Sequence, residues 1–324
     1  MKKLILSAFA VVTVCTAYGQ SNTLSLSQKG NGNSAPVTQL GNGNNLSLSQ
    51  IGSGNSLPSY DPFYANFTQK GNSNMGSIAV TGDNNEVKFS QHGNSNRGII
   101  STTGSQNRAT LLNAYYASVG DNNNATITQV GNGNGAVASS QFGNANQTNV
   151  SQIGDGNFGN ASSIRSSYSE VNVTQTGNQN RGLATSAEGN FNEISISQTG
   201  NGNTAFATSW WSTHNHNNVT QRGNSNLVSS SQSGDEHQSA IIQQGDMNVV
   251  INLQDGSSNH MAVSQLGSGN QLIGLSMDSE SIDSFSRQTG VGNSLTLTQT
   301  GNGNVLRFGQ VGNNNTAIVT QGSY

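Results

Sequence analysis

The stretch Asn44-Asn45-Leu46-Ser47-Leu48-Ser49-Gln50-Ile51-Gly52-Ser53-Gly54-Asn55 decides the fold of this chain. Its alternation sends Asn44, Leu46, Leu48 and Gln50 to one side and Asn45, Ser47 and Ser49 to the other, as in a half-buried β-strand. The Gly- and Asn-rich segment that follows holds the residue types most tolerant of positive φ, so the strand must reverse there and a helix is excluded. Roughly seven residues of strand and four of turn make a unit of about eleven.

That unit recurs along nearly the whole chain. The inward phase returns at Asn85, Val87, Phe89 and Gln91, at Asn192, Ile194, Ile196 and Gln198, at Asn293, Leu295, Leu297 and Gln299, and at Asn304, Leu306, Phe308 and Gln310. Charged residues such as Glu86, Lys88, Glu193 and Arg307 fall on the outward phase. A beat this regular means one small supersecondary unit copied along an axis. The expected fold is an all-β solenoid, with two arcs per coil of about twenty-two residues and parallel, in-register sheets. The corner motif decays around Ile164, Ala187 and Trp210, whereas Gln175, Gln198 and Gln221 keep it, so good and poor corners alternate with a period of 23. One edge of the solenoid therefore differs from the other. About twenty-six arcs, hence about thirteen coils, give a rod roughly 60 Å long at ~4.8 Å per rung.

Inward amides are explained by stacking. Identical Gln or Asn side chains one strand spacing apart donate and accept along the axis, so each buried polar group meets its copy. The candidate ladder and corner residues are Gln28, Gly30 and Asn33, then Gln39, Gly41, Asn44 and Gln50. Further along they are Gln129 with Asn134, Gln198 with Asn203, Gln265 with Asn270, Gln299 with Asn304, and Gln310 with Asn315. The plainer alternative is that these amides are solvated turn residues.

Composition agrees with a repeat rather than with ordinary domains: 324 residues include 40 glycines, 3 prolines, 8% charged and 31% hydrophobic residues. Such a mixture is often disordered, but here the apolar residues recur in phase. The net charge of −3 carries no basic stripe, so nucleic-acid binding has no electrostatic support. Residues 1–19 read as a secretory signal: Lys2 and Lys3, an apolar run from Leu4 to Val14, and small residues at Ala17 and Gly19 before Gln20. The repeat region is then 20–324, and the expected destination is extracellular. The only cysteine, Cys15, lies in the signal segment, so disulfides contribute nothing to the exported chain.

The beat breaks twice. Residues 56–64 include Pro58 and Pro62 and read as an inserted loop, and a smaller insertion falls near 113–118. Each is either an aromatic surface feature for a partner or a tolerated addition at an exposed corner. Pro36 deletes one ladder donor within the second strand, which suits an end coil.

The unit Gln28-x-Gly30-x-Gly32-Asn33-x-Ala35-x-x-x-Gln39 resembles the curlin repeat, S-x5-Q-x-G-x-G-N-x-A-x3-Q, and Gln129, Gly131, Gly133, Asn134 and Ala136 match it again. The resemblance implies a β-solenoid amyloid whose subunits join end to end into extracellular fibres of the biofilm matrix. It also implies a nucleator subunit as partner and export through a dedicated outer-membrane pore. Asn usually replaces the motif's leading Ser, and the repeats start at Asn22 to Gln28, leaving little room for a separate pore-targeting segment.

An open solenoid tip presents unpaired backbone groups, and the unit from Asn315 to Gln321 reaches within three residues of the last one. Copies of the chain could then add tip to tip as a filament. Asp83, Asp121, Asp155, Asp235 and Asp246 are candidate gatekeepers that slow assembly by charge repulsion, or simply good turn residues. No catalytic, cofactor or metal site is expected; His214 and His216 alone have a ligand-like spacing, and they lack carboxylate or thiolate partners nearby in sequence. The rival reading is a monomeric solenoid that binds ice or a polysaccharide through outward hydroxyl pairs such as Thr126 and Thr128, Ser195 and Ser197, or Thr296 and Thr298.

Overall fold

A computed structural model describes residues 16–18, 21–57, 68–113, 120–274 and 286–322. All regular structure among them is β-strand, arranged as a solenoid of about 12 turns. As far as Gln271–Gly274 each strand pairs in parallel with the strand two places along the chain, so alternate strands fall into two sheets; beyond it Ser286–Val291 and Val305–Val311 continue the first sheet, and Ser294–Thr300 and Thr316–Gly322 the second. Register is one-to-one: Thr23–Lys29 lies on Asn45–Ile51 with Leu24 over Leu46, Leu26 over Leu48 and Gln28 over Gln50. The sequence reading of strand and turn holds residue for residue in Glu86–His92, where Val87, Phe89 and Gln91 are buried.

The core is the narrow slot between the sheets. Alternation decides who enters it, and paired sizes decide its width. Phe89 projects from the first sheet, and the facing positions of the second are Gly76 and Gly98; a Cβ on Gly98 would lie 2.5 Å from the Phe89 ring. Farther along, the first sheet offers Ala136, Ala138, Ala161 and Ala184 while the second brings Val150, Val173, Ile194 and Ile196. Small against large keeps the slot filled without voids.

Most corners have four residues, with left-handed backbone at the first and third. At Gly131, φ is 120° and a Cβ would meet the Gly154 carbonyl oxygen of the next coil at 2.0 Å, so glycine is needed both for the dihedral and for the space. The poor corners are five residues long: 142–146, 165–169, 188–192 and 211–215. There the left-handed positions go to Phe142 and Ala145, Arg165 and Tyr168, Glu188 and Phe191, and Trp211 and His214. The extra residue is the physical source of the 23-residue period.

The loop expected at 56–64 falls almost wholly, and that at 113–118 largely, outside the described residues. Ser34 bridges Ser56 and Thr38 pairs with Thr68, so Pro36 faces the rung that the first insertion interrupts. A third interruption separates Gln271–Gly274 from Ser286–Val291, which share one rung between Val249–Ser257 and Val305–Val311. Among the described residues, twenty-five arcs therefore follow residue 20, thirteen in the second sheet and twelve in the first. That is one fewer than the spacing indicates, because Gln271–Gly274 and Ser286–Val291 together make one arc. The strand Thr16–Tyr18, inside the expected signal segment, lies beneath Thr38–Leu40 as the first rung of the first sheet.

Candidate assembly surface

Two kinds of amide column run along the rod. In the second sheet an unbroken column climbs from Gln129 through Gln152, Gln175, Gln198, Gln221, Gln243, Gln265 and Gln299 to Gln321, each Nε2 donating to the next Oε1 at 2.7–3.0 Å. The same Nε2 group also reaches across the core: Gln175 donates to the Phe158 carbonyl at 3.0 Å, and Gln152 to that of Gly135 at 2.9 Å. The columns thus tie coil to coil and sheet to sheet. Gln28 donates to Gln50 and Gln39 to Gln69, but Val80 and Thr102 then interrupt the second-sheet column. In the first sheet Asn113, Ser140, Ser163, Ser186 and Ser209 separate Gln91 from Gln232, and the column resumes through Gln254 and Gln288 to Gln310.

Corner asparagines form the other columns. The Asn134 amide N–H donates to Asn107 Oδ1 at 2.9 Å, its Nδ2 donates to the Gly154 carbonyl at 2.7 Å, and its own Oδ1 accepts from Asn157 N–H at 2.9 Å. Asn44, Asn203 and Asn270 repeat that geometry with the Gly71, Gly223 and Gly301 carbonyls as acceptors. Asn33 donates to the Gly52 carbonyl, and Asn304 and Asn315 receive support from the Oδ1 atoms of Asn270 and Asn293. Gln50, Gln129, Gln265 and Gln299 are at most 1% exposed, which rules out solvated turn amides for them. All bonds along the Gln columns point from donor to acceptor toward the C-terminus, so the rod is polar.

The five aspartates stand at the second corner position, where each accepts a backbone N–H from the coil below: Ser53 to Asp83, Asn94 to Asp121, Asn132 to Asp155, Thr213 to Asp235 and Asn224 to Asp246, at 2.6–2.8 Å. Their neighbours above are neutral: Ser105, Asn144, Asn178, Ser257 and Ser268. Each therefore has a turn role already filled. His214 stacks on Phe191 at 5.1 Å and His216 lies 3.0 Å from Glu193, so the two belong to different columns; no metal-holding group of three His, Cys, Asp or Glu exists among the described residues.

Two features went unread in the sequence. His237 replaces asparagine in a corner column, its Nε2 bonding the Ser233 carbonyl at 2.9 Å and its Nδ1 accepting from Asn259 N–H at 3.2 Å. Burial pushes its pKa below the usual histidine value, against the opposing effects of the Ser233 carbonyl, Asp255, the Gly256 backbone and Asp235. The wide corners also stack into an exposed ridge. Tyr168 lies on Phe191 at 5.0 Å, while Glu188 accepts from Trp211 Nε1 at 2.6 Å and pairs with Arg165 at 2.7 Å. Those two partners, Trp211 first, hold the Glu188 carboxyl below its ordinary range. The signal for the ridge was available, since a fifth residue at every second corner aligns bulky residues at intervals of 23.

Columns of in-phase Gln, Gly and Asn on a parallel two-sheet solenoid are the structural counterpart of the family model for the curlin associated repeat, which matches residues 19–52, 82–111 and 290–322. The chain carries curlin repeats in these three stretches. No curated protein matches it. The first and last of these stretches contain the outermost described rungs after residue 20, and repeats of this kind on a β-solenoid point to a structural protein.

Proposed function

We propose that this curlin-repeat chain is an exported subunit that assembles end to end into extracellular, curli-like amyloid fibres for matrix and cell adhesion. The observation that carries the reading is the incomplete burial of the last described rungs. Leu24, Leu26, Leu306, Ala317 and Val319 are only partly covered, whereas their counterparts within the rod, such as Leu48 and Ile194, are 1% exposed or less. A tip that offers apolar side chains, amide columns and an open strand edge is completed by another tip of complementary polarity. Residues 1–19 would direct export, a nucleator subunit and an outer-membrane pore would serve as partners, and the gatekeeper role of the five aspartates belongs to this same proposal.

The test is assembly of the mature chain from Gln20 onward at micromolar concentration. Expected are fibres with a ~4.8 Å meridional reflection, amyloid-dye binding and a lag abolished by seeds. A persistent soluble monomer over days, particularly one with thermal hysteresis or polysaccharide affinity, overturns the fibre reading in favour of a surface-binding solenoid. Replacing the five aspartates by asparagine keeps every backbone acceptor and removes the charge; a shortened lag supports gatekeeping, and an unchanged lag leaves them as corner acceptors only.

A further inference from the structure

An odd number of arcs has a consequence for how two copies meet. After residue 20 the first described rung, Thr23–Lys29, belongs to the second sheet, and the last described rung, Thr316–Gly322, belongs to the second sheet as well. Straight stacking would set Thr23–Lys29 over Thr316–Gly322 and leave Val305–Val311, the last rung of the first sheet, uncovered. The vacant place is the one that Thr16–Tyr18 fills beneath Thr38–Leu40 in the unprocessed chain.

Resting on the fibre reading and on removal of residues 1–19, we infer that neighbouring subunits in the fibre are related by a half turn about its axis. The first sheet of one copy then continues into the second sheet of the next. Residues 23–39 then lie over residues 305–321 without a gap, and nine of these seventeen positions are identical. Inward residues match in size as well as type: Leu24 over Leu306, Leu26 over Phe308, Gln28 over Gln310, Ala35 over Ala317, Val37 over Val319 and Gln39 over Gln321. Straight stacking instead opposes Leu24 to Ala317 and Leu26 to Val319, and pairs one glutamine rather than two.

Column polarity agrees with the half turn. The Gln columns end in the Nε2 groups of Gln310 and Gln321 and begin with the Oε1 atoms of Gln28 and Gln39, so each donor meets an acceptor. Asn33 falls over Asn315, the pairing by which the Asn55 N–H bonds Asn33 Oδ1 within the rod. Pro36 does not obstruct the junction. Within the chain the outward residue Ser34 donates its N–H toward the coil above and the inward residue Leu57 donates toward the coil below, so an outward proline lacks a donor only on its own chain's side. The ridge of wide corners would alternate from one flank of the fibre to the other with each subunit.

Cysteine pairing decides the matter, because the mature chain has no cysteine of its own. Residues facing across a parallel rung are ~4.8 Å apart at Cα, within disulfide reach. Thr38, Thr320 and Ser27 all point outward, so their substitution spares the core. Thr38→Cys with Thr320→Cys should give a reducible series of dimers and longer oligomers from oxidised fibres, whereas Ser27→Cys with Thr320→Cys should remain monomeric after denaturation. Cross-linking of the second pair, or of neither, in dye-positive fibres overturns the half turn while leaving the fibre reading intact. Absence of fibres from the unmodified mature chain overturns the fibre reading itself. A second measurement is the helical rotation per subunit by electron microscopy. Deleting the arc 305–315 makes the arc number even and should change that rotation by half a turn, beyond the small twist lost with the arc.

Discussion

An inner glutamine such as Gln175 makes three bonds at once: it accepts from Gln152 at 2.8 Å, donates to Gln198 at 2.8 Å, and donates to the Phe158 carbonyl at 3.0 Å. Gln175→Leu fills the same volume but deprives Gln152 Nε2 of its axial acceptor and Gln198 Oε1 of its donor. With about 1–3 kcal/mol for each buried group left unpaired, the expected loss is roughly 2–5 kcal/mol, read as a lower urea midpoint of the soluble chain. The outward neighbour Thr174→Val should stay within about 0.5 kcal/mol. His237 adds a pH term. Its folded pKa is depressed from 6.5, so the unfolded chain takes up a proton more readily; its contribution is complete above about 6.5 and declines as pH falls toward the folded value. His237→Asn should flatten the fall in urea midpoint between pH 7 and 5.5. It should not abolish it, because burial and Lys70 also depress His92. An unchanged slope in the variant would show that His237 stays paired when protonated. Side-chain direction was legible at this scale because the slot admits only alternate residues. The interruption of the first-sheet column by Ser140, Ser163, Ser186 and Ser209 was not, since serine occupies either face of a strand equally well.

At the scale of one arc, the corner sets the coil. Gly131 and Gly133 both have left-handed backbone but for separable reasons. A Cβ on Gly131 would sit 2.0 Å from the Gly154 oxygen, while nothing lies within 4 Å of one on Gly133. Gly133→Ala should therefore cost about 1 kcal/mol, the backbone term alone, and Gly131→Ala distinctly more, on the order of 3 kcal/mol, because two coils must separate. Equal urea midpoints for the two variants would refute the coil-contact account. The four-residue corner was legible from its Gly-x-Gly-Asn chemistry, as at Gly131 to Asn134. The five-residue corner showed only as a decayed motif, since Phe142, Arg165, Glu188 and Trp211 adopt positive φ without any residue type that advertises it. The arc split between Gln271–Gly274 and Ser286–Val291 was concealed for a different reason. Gln265 and Gln288 are 23 residues apart, the length of a regular coil, so the insertion keeps time with the beat it interrupts.

Over the whole molecule each coil touches only its neighbours, so stability accumulates rung by rung and growth is a property of the tips. This separates two substitutions of identical chemistry. Val173 is 1% exposed in mid-rod, and Val173→Asp buries an unpaired carboxylate, which should prevent folding. Val319 lies in the last described rung, packed against the core on one side and open on the other. Val319→Asp can keep its carboxylate hydrated in the monomer and must lose that hydration only when another copy covers the rung. The expected outcome is a monomer with unchanged β-sheet circular dichroism whose seeded elongation is at least tenfold slower, because several kcal/mol of desolvation opposes each addition. Ala79→Asp, at an exposed outward position two rungs in from the first described rung of its sheet, controls for added charge and should elongate at the normal rate. If Val319→Asp elongates as fast as the parent chain, that tip is not where copies join, and the rod grows through some other surface.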